Sequence, residues 1–446
     1  MKRHYMIALC LALPLMGMAQ KQLSLEEVKK MALENNIGIR SAKNAVAQAH
    51  EQKQEAFTLF FPKVSAFGLG YQANRGVLQE DFHVKDYITP TIAKLIPPSV
   101  AGMLPETFSY SMMKHGLIGG VTAIQPVFAG GQIVNGNKLA KVGEDAALLQ
   151  KETSVNTVEL TAEKYFWQVV SLKEKQKTID AVIDMLKNIE KDADIAVKAG
   201  VAMRNDLLAV QLKQNEMESA RIKLSNGLKL SQRVLAQYIG MDGQTVDVIA
   251  EIDVNQLPDY QVDAIDPNTA VAATPEYKLL QKNVEAKTLQ RKMETGKHMP
   301  TIGVGAGYNY YDFGSHLDNN FGMIFATVTI PISDWWGGSH AIKRKKLAEQ
   351  NAREQLEDNT QLLKIRIQKN RDDMDDAYKQ LQLARKGIEQ SEENLRLNND
   401  FYHAGTSTIN TLLDAQQKYQ QCRDRYVDAY AQLQTKILEY KQSIGW

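Results

Sequence analysis

The sequence predicts a mostly α-helical protein with a small β part, built by internal duplication: very long antiparallel coiled-coil helices, plus four strands per chain that contribute to a β-barrel. Three observations carry this. The stretch from Ala199-Gly200 through Asn205, Leu207, Leu208 and Gln211 to Gln237-Tyr238-Ile239-Gly240 recurs without a gap, 205 positions on, as Ala404-Gly405, Asn410, Leu412, Leu413, Gln416 and Gln442-Ser443-Ile444-Gly445. Two long proline-free stretches place apolar residues at alternating steps of three and four. Each half also holds two runs of about ten residues with period-two alternation, the length of a tilted strand in a bilayer.

The chain has 446 residues, and 53 basic side chains balance 52 acidic ones, so nothing in the charge favours nucleic acid. Residues 1–19 read as a signal peptide: Lys2 and Arg3, an apolar run from Met6 to Leu15, then Gly17-Met18-Ala19 before Gln20. Cys10 lies inside that run, which leaves Cys422 alone after cleavage and excludes an intrachain disulfide. No later run of eighteen apolar residues offers a membrane-spanning helix, so a crossing would have to be a closed barrel.

A first repeat is expected over residues 20–240. It opens on a helix from Ser24 to Leu59, with Ser24 and Glu27 spaced as a capping box. Strands follow at about 63–73 and 116–126. The long helix at about 131–198 carries Val155, Val158, Ala162, Tyr165, Val169, Leu172, Ile179, Ile183, Leu186, Ala193 and Val197 on one seam, interrupted by Gln176 and Glu190. At 1.5 Å per residue such a helix is about 100 Å long. A tip at about 199–206 reverses the chain, because a glycine just past a helix end takes the left-handed conformation that reversal needs.

The proline-bearing, strand-poor segment 241–267 reads as an equatorial linker, and residues 268–446 as the second repeat. Its strands fall at about 301–311 and 322–331, its long helix at about 338–403 and its tip at about 404–410. Leu363, Ile367, Met374, Leu381, Ile388 and Leu395 form the helical stripe.

Ile302, Val304, Ala306, Tyr308 and Tyr310 alternate with Gly303, Gly305, Gly307 and Asn309, and Phe67, Leu69 and Tyr71 alternate with Ala66, Gly68 and Gly70. The expected arrangement is an apolar face toward lipid and a bare face toward the bore. The glycine run lies inside a strand with no Gly-Lys-Ser/Thr beside it, which argues against a phosphate loop. Four strands cannot close a barrel, and open edges in lipid leave backbone groups unpaired, so closure requires several copies; three give twelve strands. Between strands, 64 positions separate Pro62 from Pro126 but 31 separate Pro300 from Pro331, so the first hairpin carries an insert, either a folded cap or a decorative loop.

The corners Gln125-Pro126-Val127-Phe128-Ala129-Gly130-Gly131 and Ile330-Pro331-Ile332-Ser333-Asp334-Trp335-Trp336-Gly337-Gly338, and above all the tips Ala199-Gly200-Val201-Ala202-Met203-Arg204-Asn205-Asp206-Leu207 and Ala404-Gly405-Thr406-Ser407-Thr408-Ile409-Asn410-Thr411-Leu412-Leu413-Asp414-Ala415, resemble those of the TolC family of outer-membrane efflux proteins. The resemblance covers essentially the whole mature chain. It implies a homotrimeric conduit set in outer-membrane lipid, with a 12-stranded barrel and a periplasmic α-barrel. It also implies work with a periplasmic adaptor (membrane fusion protein) and an inner-membrane RND or ABC-type transporter.

In the family's closed form an aspartate after the first tip is linked to a tyrosine and an arginine around the second. Asp206 and Tyr402 stand at two of these positions; Ser407 stands at the arginine's, with Arg204 close enough in sequence to substitute. An aspartate ring at the entrance is matched by Asp414, whereas its companion position is Thr411. Asn205 and Asn410 flank the gate candidates. Ala199, Gly200, Val201, Ala404, Gly405, Thr406 and Ser407 are the implied adaptor contacts. Asp206 has a plainer reading as a helix cap.

No catalytic constellation emerges: none of the eight histidines pairs with another at ligand spacing. The acidic run Asp372-Asp373-Met374-Asp375-Asp376 reads as a solvated helix face. No enzyme, cofactor or metal is expected. The alternatives to a conduit are a periplasmic structural or adhesive coiled-coil protein without a pore, and a periplasmic adaptor, against which the second hairpin counts.

Overall fold

The computed structural model describes residues 22–250, 252–254, 256–258, 260, 265–314 and 318–446. The expected signal peptide and parts of the linker lie outside these. In chain order the elements are β1 (Gln22–Leu23), α1 (Leu25–Asn35), α2 (Ile37–Thr58), β2 (Lys63–Gln72), β3 (Leu78–His83), α3 (Val84–Tyr87), α4 (Pro90–Ala93), α5 (Pro98–Ala101), β4 (Thr107–Met112) and β5 (His115–Ala129). They continue with α6 (Gln132–Lys198), α7 (Arg204–Tyr238), β6 (Asp247–Val248), α8 (Pro267–Ala270), a 3-10 turn (Val271–Ala273), α9 (Pro275–Lys297), β7 (Thr301–Asp312), β8 (Asp318–Thr329), α10 (Asp334–His403) and α11 (Ile409–Ser443). Helix dominates and strands are few, the fold class that the duplication and heptads predict.

The chain separates into a helical unit (residues 1–48, 145–283 and 353–446) and a sheet unit (49–144 and 284–352). In the helical unit the heptad positions are the core: Val158, Ala162, Val169, Leu186 and Ala193 on α6, and Ile367, Met374, Leu381 and Ile388 on α10, are all buried. Tyr426 and Tyr440 of α11, both fully buried, fill the second stripe.

The opening helix is two helices, not one. Asn36 breaks it with extended backbone (φ −62°, ψ 136°), and its side chain accepts from the Gly38 amide at 2.8 Å. The break turns two amide side chains onto the end of α7: Asn35 Nδ2 donates to the Ile239 carbonyl (3.0 Å) and Asn36 Nδ2 to that of Tyr238 (3.2 Å). Carbonyls that a helix end leaves without partners are thereby satisfied from 200 positions away, which no local signal announces. The linker is not wholly irregular either. β6 pairs in parallel with β1, the Tyr426 hydroxyl donates to the Asp253 carbonyl (3.1 Å), and Tyr260 stacks on Tyr378 with ring centroids 3.8 Å apart.

The sheet unit is built on one antiparallel sheet in the order β2-β5-β7-β8, so β2 and β8 each present an open edge. β5 runs past Pro126, where a strand end was expected: Pro126 keeps its place opposite Gly303, and a bulge at Val127 carries the strand on to Phe128 and Ala129. α10 begins at Asp334, four residues before the expected start. The turn is made by hydrogen bonds over Ile330–Trp335, and the Asp334 carboxylate favours the positive end of the helix. The corners consequently differ. Gly130 and Gly131 have φ of 59° and 74°, whereas Gly337 and Gly338 are ordinary helical residues.

The register corrects the expected faces. Ala66 lies opposite Val121 and Val121 opposite Tyr308, whereas Phe67 lies opposite Gly120 and then Asn309. The run Phe67, Leu69 and Tyr71 therefore shares a face with Gly303, Gly305 and Gly307, and the run Ile302, Val304 and Tyr308 shares one with Val64, Ala66, Val121, Ile324 and Val328. A one-residue offset between the repeats exchanges the faces. The glycines are not bare: the Tyr71 ring lies over Gly116 and the Phe325 ring over Gly305, where a Cβ would collide with them.

The insert is folded. β3 and β4 pair antiparallel from Leu78↔Met112 to His83↔Thr107, and α3 to α5 enclose a cavity of about 390 Å³ lined by Val84, Ile88, Ala93, Ile96, Leu104 and neighbours.

Candidate functional site: the two helical turns

Both turns lie in the helical unit and are built by the same bonds. After α6 the Val201 amide donates to the Ala196 carbonyl (3.0 Å) and the Gly200 amide to that of Val197 (3.0 Å). After α10 the Thr406 amide donates to Phe401 (2.9 Å) and the Gly405 amide to Tyr402 (3.0 Å). This is the Schellman arrangement, and Gly200 (φ 77°) and Gly405 (φ 72°) take its left-handed position. Nothing lies within 4 Å of where a Cβ would sit on either glycine. The returning helices are capped by opposite halves of a capping box. Asp206, three residues into the turn's exit, accepts from the Met203 amide (3.1 Å). Its equivalent Thr411 instead donates its amide to Thr408 Oγ1 (3.3 Å). Asp206 is thus a cap, as its plainer reading has it, and it remains half-buried beside a second group.

That group is Tyr402. The last turn of α10 sets it against a cluster of Val182, Leu186, Ile189, Val210, Ile409, Leu412 and Leu413 drawn from the other three long helices, α6, α7 and α11. Burial first, then the charges of Asp206 and Asp192, push its hydroxyl above the usual phenol range. Among the described residues the hydroxyl makes no hydrogen bond, and no direct bond joins it to Asp206. The structure thus places Asp206 near enough to Tyr402 for its charge to act on the hydroxyl, without the link of the family's closed form.

The remaining candidates are dispersed. Arg204, Asn205, Asn410, Thr411 and Asp414 are exposed, and Arg204 and Asp414 make no ion pair among the described residues. Ala199, Gly200, Val201, Ala404, Gly405 and Thr406 form an exposed rim, with Ser407 half-buried. Sequence reading missed Met203, Leu208, Leu212 and Phe401, large apolar side chains 76%, 52%, 62% and 50% exposed around the same turns. Their signal was available only in part. Leu212 answers Gln417 in the other repeat, which marks a solvent-side position, but Leu208 answers the buried Leu413. Among the described residues no cluster could hold a metal ion, and no helix is long and apolar enough to cross a membrane.

Residues 267–445 match the sequence family Outer membrane efflux protein. No curated protein sequence matches the chain. Solved structures share its fold along nearly all of its length. The outer membrane protein VceC of Vibrio cholerae is 12% identical, with a TM-score of 0.74 over 94% of this chain and 96% of that one. The MtrE outer membrane channel of Neisseria gonorrhoeae, solved in its open state, is 15% identical with a TM-score of 0.74 over 94% and 88%. CusC, whose structures concern transmembrane channel formation, is 12% identical with a TM-score of 0.79 over 96% and 93%. The sequence pattern of the outer membrane efflux proteins thus matches residues 267–445, and the fold of these channels is shared along nearly all of the chain.

Proposed function

We propose that three copies of this chain form the exit conduit of a tripartite pump, gated at the two helical turns. Each sheet ends in an open strand on either side, β2 and β8, and edges of this kind persist in lipid only when a neighbouring copy pairs them. Three sheets of four strands make a twelve-stranded ring in the outer membrane of a Gram-negative cell, with the helical unit in the periplasm after removal of residues 1–19. The open space around Gly200 and Gly405 and the exposed Val201, Ala404 and Thr406 suit close approach of an adaptor's backbone. An RND or ABC-type transporter would load the conduit from the inner membrane, and substrate choice would lie there.

What supports the gate reading is the placing of Asp206 and Tyr402, one residue from each repeat, at the two turns, near enough for the Asp206 charge to hold the Tyr402 hydroxyl in its neutral form. In planar bilayers, Asp206→Ala and Tyr402→Phe each raise single-channel conductance in this reading. Conductance equal to wild type in both variants removes these residues from the gate. Asp414→Asn should reduce block by multivalent cations.

A further inference from the structure

Gln416 is the most anomalous side chain of the helical unit. It is fully buried, yet among the described residues neither its amide nitrogen nor its carbonyl oxygen has a hydrogen-bond partner. The duplication explains why. In the first repeat Gln211 donates to Glu190 (2.9 Å), but the residue that answers Glu190 in the second repeat is Leu395, so the partner has been lost while the amide has been kept. A buried carboxamide with no partner forfeits the hydrogen bonds that its two N–H donors and its carbonyl oxygen make in water.

The same side chain lines a cavity of about 240 Å³ between α6 and α11. Ala181, Val182 and Met185 supply an apolar wall, Thr178, Tyr419 and Arg423 the polar remainder, and Glu174 with Lys177 an ion pair at 2.7 Å. A slot with an apolar wall, backed by a buried carboxamide that has no partner and reaches an occupant when its side chain turns toward the cavity, is the arrangement of a small-molecule site. We propose that this cavity binds a small flat amphiphile bearing a primary carboxamide, whose N–H and C=O pair with Oε1 and Nε2 of Gln416 while its apolar body lies against Val182 and Met185. Val182 belongs to the cluster that holds Tyr402, so an occupant would tie α6 to α11 through the packing beneath the gate candidates.

The test uses the full-length protein in detergent and 4-fluorobenzamide as probe, read by fluorine NMR line broadening, with fluorobenzene as comparator. Saturable broadening by the amide at millimolar concentration or below is expected, at least fivefold tighter than with fluorobenzene. Binding should be lost in Gln416→Met, and also in Ala181→Phe, which plugs the apolar wall, leaves Gln416 in place and changes an exposed residue. Helical content and melting of each variant report folding independently. Equal broadening in wild type and a folded variant, no preference for the amide, or no saturation overturns the proposal and leaves water as the occupant of the cavity.

Discussion

Replacing Asp424 by Asn should stabilise the helical unit at neutral pH and do nothing at acid pH. Burial pushes the Asp424 carboxyl up to about 6; Lys175 and Arg423 pull it down only partly, and the neighbouring Asp428 pushes it further up. The geometry accounts for the weak compensation. Lys175 is engaged by Asp428 at 2.6 Å, and Ser171 Oγ donates to the same carboxylate at 2.9 Å, leaving Asp424 Oδ1 without a partner. The folded-state value lies above the ordinary 3.8, so the neutral form is the one that folding favours. Below about pH 4 the group is protonated in both folded and unfolded chains and carries no penalty. The penalty grows between about 4 and 6 and is complete above. The rise from 3.8 to about 6 corresponds to an upper bound of about 3 kcal/mol, and partial access of water reduces the expected gain on Asp424→Asn to roughly 1 kcal/mol. Melting followed by circular dichroism at 222 nm should show a variant midpoint about 2 °C above wild type at pH 7.5, converging with it at pH 4. A difference that persists unchanged at pH 4, or a loss at pH 7.5, would refute the account of Asp424 as a buried, under-compensated acid.

Two further perturbations discriminate local from tertiary causes. Gly130→Ala should prevent assembly into a membrane-stable form or cost more than about 3 kcal/mol, because its Cβ would be driven into the Gly296 carbonyl on top of a positive φ. Gly200→Ala, with the same kind of φ and open space, should cost only about 1–2 kcal/mol in melting experiments; equal costs would remove the close approach as the cause. Gln416→Leu should stabilise the helical unit by about 1–2 kcal/mol, since it exchanges two unsatisfied atoms for apolar ones of similar volume. Glu190→Ala should destabilise it, by stranding Gln211. A destabilised Gln416→Leu would show that the amide is satisfied in solution.

The sequence by itself determined whatever depends on neighbours within a turn or two. Heptad spacing buried Val169, Leu186, Ile367 and Leu381, the Ala-Gly pairs placed both reversals, and the duplication set helix against helix, because side-chain periodicity and left-handed glycine are local properties. Asp206 and Tyr402 could be named from the tips. The action of the Asp206 charge on Tyr402 could not, since it runs between residues of different repeats and depends on how four helices pack. Tertiary structure alone decided the break at Asn36, which exists to cap carbonyls some 200 positions away, and the strand faces, which one residue of register exchanges. It alone also isolated Gln416 and Asp424, whose anomaly is the absence of a partner that only a neighbouring helix could have supplied.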